Sequence, residues 1–329
     1  MSPKPADTTG PSPDAFAGSA PLDVARRLFS ATRPKFFPAS VLPVLAGTAW
    51  GFSVAGSMDW AVFVLALLAT VAVHAGANVI NDVGDDQGGT DRQNDDRIYP
   101  YTGGSRFIQS GIMSARSMGR LGISLLAVAA IAGLALLSMR GEMVLWFGIA
   151  GVALAVLYSL GPARLSGTGL GELAVGIAFG VIPVTGAAWL QSGVIDTNLL
   201  LFSVPISAWV AAILLINEVP DQQADAATGK RTLVVLLGLD GTALVYAALH
   251  GIAAATTVWL TASGALIAAA PLVPLLLLVL AARAAIAIRV GVADRARMTS
   301  AIEATLGVHT IGSIWLACVA LYPVFFGAG

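Results

Sequence analysis

The sequence predicts an all-α, polytopic membrane protein of nine transmembrane helices, and three observations carry that prediction. Of 329 residues, 57% are hydrophobic and only 11% are charged, whereas a soluble domain has about a quarter of its residues charged. Nine apolar runs are each long enough to cross a bilayer as a helix. All of the 18 Lys and Arg except Arg140 fall on one side of the alternating loops, the asymmetry that sets membrane orientation.

Taken in order, residues 1–20 are rich in Pro, Ser, Asp and Gly and predict a disordered N-terminal tail. A single membrane domain is expected over 21–329. Its spans fall near 36–56, 60–80, 119–138, 143–161, 170–190, 198–217, 241–262, 265–288 and 303–326. The first contains Pro38 and Pro43 and the eighth Pro271 and Pro274, so kinks are expected there. Basic residues gather around the first helix foot (Lys4, Arg26, Arg27, Arg33, Lys35) and after the second span (Arg92, Arg97, Arg106, Arg116, Arg120). Further ones follow the fourth, sixth and eighth spans. A multi-pass protein of the cell membrane with a cytoplasmic N-terminus follows. The first apolar run starts beyond residue 35 and is long enough to stay in the membrane, unlike a cleaved secretory signal. A net charge of −1 offers no field for nucleic acid. Cys318 stands alone, which excludes an internal disulfide and a cysteine-based zinc site.

Two polar clusters break the apolar pattern. One is Asn78-Val-Ile-Asn81-Asp82-Val-Gly-Asp85-Asp86, at the end of the second span. The other is Asn217-Glu-Val-Pro-Asp221-Gln-Gln-Ala-Asp225, at the end of the sixth. On a helix, residues four apart share a face, so Asn78 stacks over Asp82, Asn81 over Asp85, and Asn217 over Asp221 and Asp225. The same Asn-x-x-x-Asp spacing recurs in the two halves, taken as about 30–165 and 166–329, as in the internal repeats of membrane bundles. Both clusters land on the cytoplasmic side and can face each other. Carboxylates this close repel unless a cation neutralises them. The natural cation is Mg²⁺, which takes hard oxygen ligands and is usually held by one or two carboxylates plus substrate phosphates.

Facing carboxylate stripes that hold Mg²⁺ would clamp a diphosphate, helped by Lys230 and Arg231 after the second cluster and by Arg92, Arg97 and Arg106 after the first. Positive charge on a departing diphosphate stabilises the leaving group. If an allylic lipid carries that diphosphate, its departure leaves a carbocation, which aromatic side chains stabilise. The expected chemistry is ionisation of a polyprenyl diphosphate and capture by an electron-rich acceptor.

Asn81-Asp82-x-x-Asp85-x-x-x-Gly89-x-Asp91 resembles the first signature of the UbiA superfamily of intramembrane prenyltransferases, and Asp221-x-x-x-Asp225 with Gly229-Lys230-Arg231-Thr232-Leu233 resembles the second. Within it the sequence is most similar to the 1,4-dihydroxy-2-naphthoate prenyltransferases of menaquinone biosynthesis. Arg33-Pro34, Ile108-Gln109-Ser110-Gly111, Tyr158-Ser159 and Leu170-Gly171-Glu172 extend the likeness along nearly the whole chain. The resemblance implies a nine-helix bundle with a central cavity open sideways to lipid, Mg²⁺ as cofactor, a polyprenyl diphosphate donor and a dihydroxynaphthoate-like acceptor. Carried over, Asn81, Asp85, Asp221 and Asp225 bind metal and diphosphate, with Asp82 also in the catalytic set. Asn78, Asn217, Arg106, Lys230 and Arg231 are expected to contact the diphosphate.

The sequence departs from the naphthoate branch at Glu218-Val-Pro220, where Asn and Arg are more usual, and at Tyr101-Thr-Gly-Gly-Ser-Arg106. His74 is expected to serve packing or a local hydrogen bond, and His250 and His309 are expected to be structural. Glu172 fits either a cavity-facing acid or a charge in a first helical turn. Two other classes fit the same residues: a UbiA-type terpene cyclase, which needs no acceptor, and an ion-coupled transporter, which would place its acids nearer mid-bilayer. Prenyl transfer to a different acceptor is a further alternative.

Overall fold

The computed structural model describes residues 10–88, 96–159 and 164–327, and among them it is helical throughout, with no strand. Gly89, Asp91 and Arg92 lie outside the described residues. So do residues 1–9 of the expected tail. The rest of that stretch is structured: Pro13–Phe16 forms a 3₁₀ turn, and the Phe16 ring packs 5.0 Å from Phe107. Arg27 also donates to the Phe16 carbonyl at 2.9 Å, so ring packing and a hydrogen bond together hold the segment.

The helices are α1 (Pro21–Ala31), α2 (Pro38–Ala55), α3 (Trp60–Gly88), α4 (Ala115–Arg140), α5 (Met143–Ser159) and α6 (Gly171–Gly176). After a π-helical turn over Ile177–Val181 come α7 (Ile182–Ser192), α8 (Thr197–Asn217), α9 (Gln222–Ala227), α10 (Leu233–Ala262), α11 (Leu272–Val290) and α12 (Arg295–Phe326). Among the described residues, seven stretches are long and apolar enough to cross a membrane. The last, Leu272–Phe326, contains both α11 and α12, and α5 is a shorter apolar helix beside them.

Where boundaries differ from hydropathy, a local cause is visible. α3 continues past residue 80 to Gly88, because backbone hydrogen bonding does not require apolar side chains. Pro38 opens α2 at a position where a missing N–H costs little. Pro271 likewise sits at the N-cap of α11, so that helix starts at Leu272 instead of near 265. Thr232 caps α10, its hydroxyl accepting from the Val235 N–H at 3.4 Å, and Gly238 (φ 66°) breaks the helix one turn in.

α8 is the axis of the bundle, with Phe202, Ile206, Trp209, Leu215 and Ile216 at 2% exposure or less. In a bilayer, lipid tails are as apolar as Leu, so helices associate through close packing at small residues instead of through water exclusion. A Cβ on Gly180 would collide with Ser207 of α8, and one on Gly47 would collide with the Val184 carbonyl of α7. These contacts draw α6, the π turn and α7 against α8 and α2. The π turn lies just ahead of Pro183, whose missing N–H removes one α-type bond there.

The segment 96–114 caps one end of the bundle. Ile98, Phe107 and Met113 are buried, and Tyr101 Oη donates to Glu303 at 2.9 Å. Arg295 donates to the Asp96 and Arg97 carbonyls at 3.1 and 2.6 Å. Both Asn/Asp clusters lie beneath this cap.

Candidate active site

The two clusters are built differently. The first rides on continuous α3, and its two stripes have separate duties. Asn81 is exposed and donates from Nδ2 to Asp85 Oδ2 at 2.7 Å, as the four-residue spacing predicts. Asn78 and Asp82, on the other stripe, face protein. Asn78 Nδ2 donates to the Thr32 carbonyl at 3.1 Å. Asp82 is 3% exposed, accepts from the Ser105 N–H at 3.1 Å and lies 3.7 Å from Arg33. Its carboxylate ties the foot of α2 and the capping segment to α3, so Asp82, expected in the catalytic set, is held in the packing between them.

The second cluster is not one helical stripe. α8 ends at Asn217, Pro220 follows, and i to i+3 bonds carry the backbone through the turn: Asp221 N–H to the Glu218 carbonyl at 3.1 Å and Gln222 N–H to the Val219 carbonyl at 3.4 Å. Asp221 precedes α9 and is half-buried; Asp225, inside α9, is 5% exposed. Lys230 Nζ lies 3.2 Å from Asp225 Oδ1, and the Lys230 N–H donates to the Asp225 carbonyl at 2.9 Å. The Arg231 side chain is exposed while its N–H donates to the Gly167 carbonyl at 2.9 Å. Arg106, in left-handed backbone (φ 64°), borders an open pocket of about 380 Å³ with Asp86, Ile108 and Gln109.

Electrostatics join the halves. Burial pushes the Asp225 carboxyl up; Lys230 opposes this, Asp85 adds to it, and the net shift is upward. Burial works against the Lys230 ammonium, but the charges of Asp225 and then Asp85 outweigh it and hold the pKa above its ordinary value. Thus Asp85 from α3 acts on Asp225 and Lys230 from beyond α8, and Asp221 acts on Lys230 as well.

Sequence reading undervalued one group. Glu172, in the first turn of α6, and Glu218 are 4% and 8% exposed and lie within hydrogen-bonding reach of each other. Burial and then the neighbouring Glu172 hold the Glu218 carboxyl well above its ordinary range, with Asp225 and Asp221 adding to the effect. The signal was a pair of acids bordering apolar runs, expensive at membrane depth and for that reason informative. His74 is a packing residue as expected, accepting or donating at Ser40 Oγ (2.9 Å) with its ring against Phe179. His309 meets the Pro38 carbonyl at 3.2 Å, and His250 meets the Tyr246 carbonyl at 2.9 Å.

Among the described residues no three His, Cys, Asp or Glu side chains form a ready-made metal cluster. The donor chemistry nonetheless fits Mg²⁺: Asp85 and Asp225 are hard-oxygen ligands close enough for the charge of one to act on the other, and Asn81, bonded through Nδ2, keeps its Oδ1 for a further ligand. Such a set suits a cation that keeps waters and binds through one or two carboxylates plus substrate phosphates.

Fold and site together define a membrane-embedded enzyme that gathers carboxylates and a lysine from two separate helices at one end of an all-helical bundle. The chain belongs to the UbiA prenyltransferase family, whose profile matches residues 40–306, and it is a prenyltransferase. It is 33% identical over 228 residues to the 1,4-dihydroxy-2-naphthoate octaprenyltransferase of Mycobacterium tuberculosis, a match covering 69% of this chain and 75% of that one. Its fold is similar to the apo structure of a UbiA homolog from Aeropyrum pernix K1, with a TM-score of 0.64 at 20% identity over 84% of this chain and 96% of that one. A UbiA homolog from Archaeoglobus fulgidus bound to GPP and Mg²⁺ matches with a TM-score of 0.58 at 15% identity, over 90% and 99%.

Proposed function

We propose that this protein transfers a polyprenyl group from its diphosphate to 1,4-dihydroxy-2-naphthoate, in a Mg²⁺-dependent step of menaquinone biosynthesis at the cytoplasmic face of the cell membrane. The observation that carries the reading is the convergence of Asp85 with Asp225 and Lys230 from opposite halves of the chain. The acceptor is the one named in the mycobacterial relative. In topology the proposal is nine crossings, with α5 spanning and α11 and α12 crossing separately, in one domain over 21–329.

In this reading Asp85, Asp221, Asp225 and Asn81 would hold the metal, which supplies positive charge to the diphosphate when bound. Lys230, whose carboxylate neighbours favour its charged form, would add a fixed charge to the same leaving group. The C–O bond to the diphosphate breaks with its electron pair, leaving an allylic cation on the lipid. The naphthoate ring carbon bearing the carboxylate attacks it, forming the new C–C bond. Loss of CO₂ then returns an electron pair to the ring and restores aromaticity, so no side-chain base is needed for balance.

The test is mass spectrometry of products from the purified protein with Mg²⁺, geranylgeranyl diphosphate and 1,4-dihydroxy-2-naphthoate, beside an Asp85→Ala control. The expected product is a prenylated, decarboxylated naphthoquinol that requires both Mg²⁺ and Asp85. Diphosphate release with only hydrocarbon products would replace this reading with a terpene cyclase.

A further inference from the structure

One arginine stands on a face that belongs to lipid. α11 runs 19 residues from Leu272 to Val290, which makes it about 28 Å long, close to the thickness of a bilayer's hydrocarbon core. Its inner face is fixed by packing: Ala284, Ala287 and Ile288 are buried in one cluster with Tyr246 of α10 and Ile302 of α12. The opposite face is an exposed stripe of Leu272, Leu276, Val279, Ile286 and Val290, and Arg283 sits within it, stacked by helical spacing on Val279 and Leu276. Among the described residues no hydrogen bond, ion pair or aromatic ring reaches the Arg283 side chain. Arg289, nearly two turns on and about 9 Å nearer the helix end, faces Asp240 at 3.6 Å. The other long spans carry no comparable charge: none follows Asp240 in α10 or Glu303 in α12, and none lies between Arg120 and Arg140 in α4. The Cα–Cβ bond of a helical residue leans toward the helix N-terminus, which turns Arg283 toward the middle of the span. Its flexible stem can bend the guanidinium back toward the interface but supplies no anion. An ionisable group at membrane depth is costly and marks a functional position.

We propose that Arg283 binds the phosphate of an anionic phospholipid on the outer face of α11, toward the end of the bundle that carries the Asn/Asp clusters. Charge complementarity selects the occupant. A guanidinium presents a planar fork of N–H donors that matches two phosphate oxygens, and the stripe of Val279, Leu276 and Leu272 continues below it as a track for the acyl chains. An anionic lipid supplies both the charge and the apolar body. A zwitterionic lipid brings its own cation, which competes with Arg283 for the phosphate. A second copy of this chain offers no matching acid from the helices packed here: Asp240 is the only acid of α10 and faces Arg289, and Glu303 is the only acid of α12 and accepts from Tyr101 Oη.

The test is native mass spectrometry of the full chain in detergent, titrated with dioleoylphosphatidylglycerol and separately with dioleoylphosphatidylcholine. The wild type is expected to bind the phosphatidylglycerol about fivefold more tightly, the size of effect one basic residue has at an anionic lipid surface. Arg283→Gln and Arg283→Leu should each abolish that preference. Arg289→Gln, which removes an equal charge nearer the helix end, should leave it within about twofold of the wild-type value. Arg283→Leu only completes the apolar stripe, so it keeps the bundle folded where a polar replacement might not. Equal binding of the two lipids by the wild type would overturn the site. So would a preference that survives both Arg283 variants, or one that falls as far in Arg289→Gln, which is the signature of diffuse surface charge. A wild-type dimer that Arg283→Leu converts to a monomer would replace the lipid with a second copy of the chain.

Discussion

The two ends of the bundle treat their charges in opposite ways. At the end away from the Asn/Asp clusters, Asp59 and Arg140 form a closed set: Arg140 Nη2 donates to Asp59 at 2.7 Å and Nε to the Leu190 carbonyl at 2.7 Å. Gln191 completes it by accepting from the Asp59 N–H at 2.8 Å and donating to the Asp59 carbonyl at 3.1 Å. This latch ties α3, α4 and α7 together and explains why Arg140 is tolerated on the side otherwise free of basic residues. At the other end Asp225 shares one lysine with a neighbouring field of acids, and Glu172 and Glu218 are buried against each other. Paired polar groups close one end, while at the other several carboxylates crowd around a single lysine. The difference separates a structural end from a chemical one within a single chain.

The sharpest break of that comparison comes from the carboxylates of the open end. Asp85→Ala and Asp225→Ala are each expected to lower kcat/KM by about a hundredfold or more while the protein purifies folded; chelation of divalent metal should do the same reversibly. Retained turnover in either variant would remove the open end from the chemistry. Next in size, Lys230→Ala should reduce kcat/KM by about ten- to a hundredfold, appearing mainly in the kinetics of the prenyl diphosphate, with Lys230→Arg restoring part of it.

A smaller effect reads the stored repulsion directly. The Glu218 pKa is raised in the folded protein. Its contribution to stability is therefore fully present below the unfolded carboxylate value and is lost as pH rises through the folded one. Glu218→Gln should accordingly raise the melting temperature at pH 8 relative to wild type, and the gain should vanish toward pH 4; a gain that grows with acid would contradict the raised pKa. Asp82→Asn should loosen the capping segment, visible as faster limited proteolysis between residues 96 and 114, with activity falling less than for Asp85→Ala. The smallest effect on chemistry belongs to the latch: Arg140→Ala should lower the melting temperature while turnover per folded molecule is unchanged. Loss of turnover there would show that the two ends are not separable.

Sequence by itself determined the membrane class, the helical class and the register of the first cluster. Apolar length sets where a chain can be buried in lipid, and helical periodicity puts Asn81 over Asp85 whatever surrounds them; both are local properties. The motifs also sufficed for the family. Tertiary structure decided everything that depends on partners far apart in the chain. Periodicity treated Asn78/Asp82 and Asn81/Asp85 as equivalent, and only the approach of Arg33, Ser105 and the Thr32 carbonyl ties down the first stripe while Asn81 stays exposed on the second. The expected continuous stripe through Asn217, Asp221 and Asp225 is replaced by a turn at Pro220, because a missing N–H combines with the chain's reversal toward α9. The pairing of Glu172 with Glu218 brings α6 to the end of α8, where Gly176 of α6 and Gly180 of the π turn pack on Ser207, a contact no spacing along the chain can express.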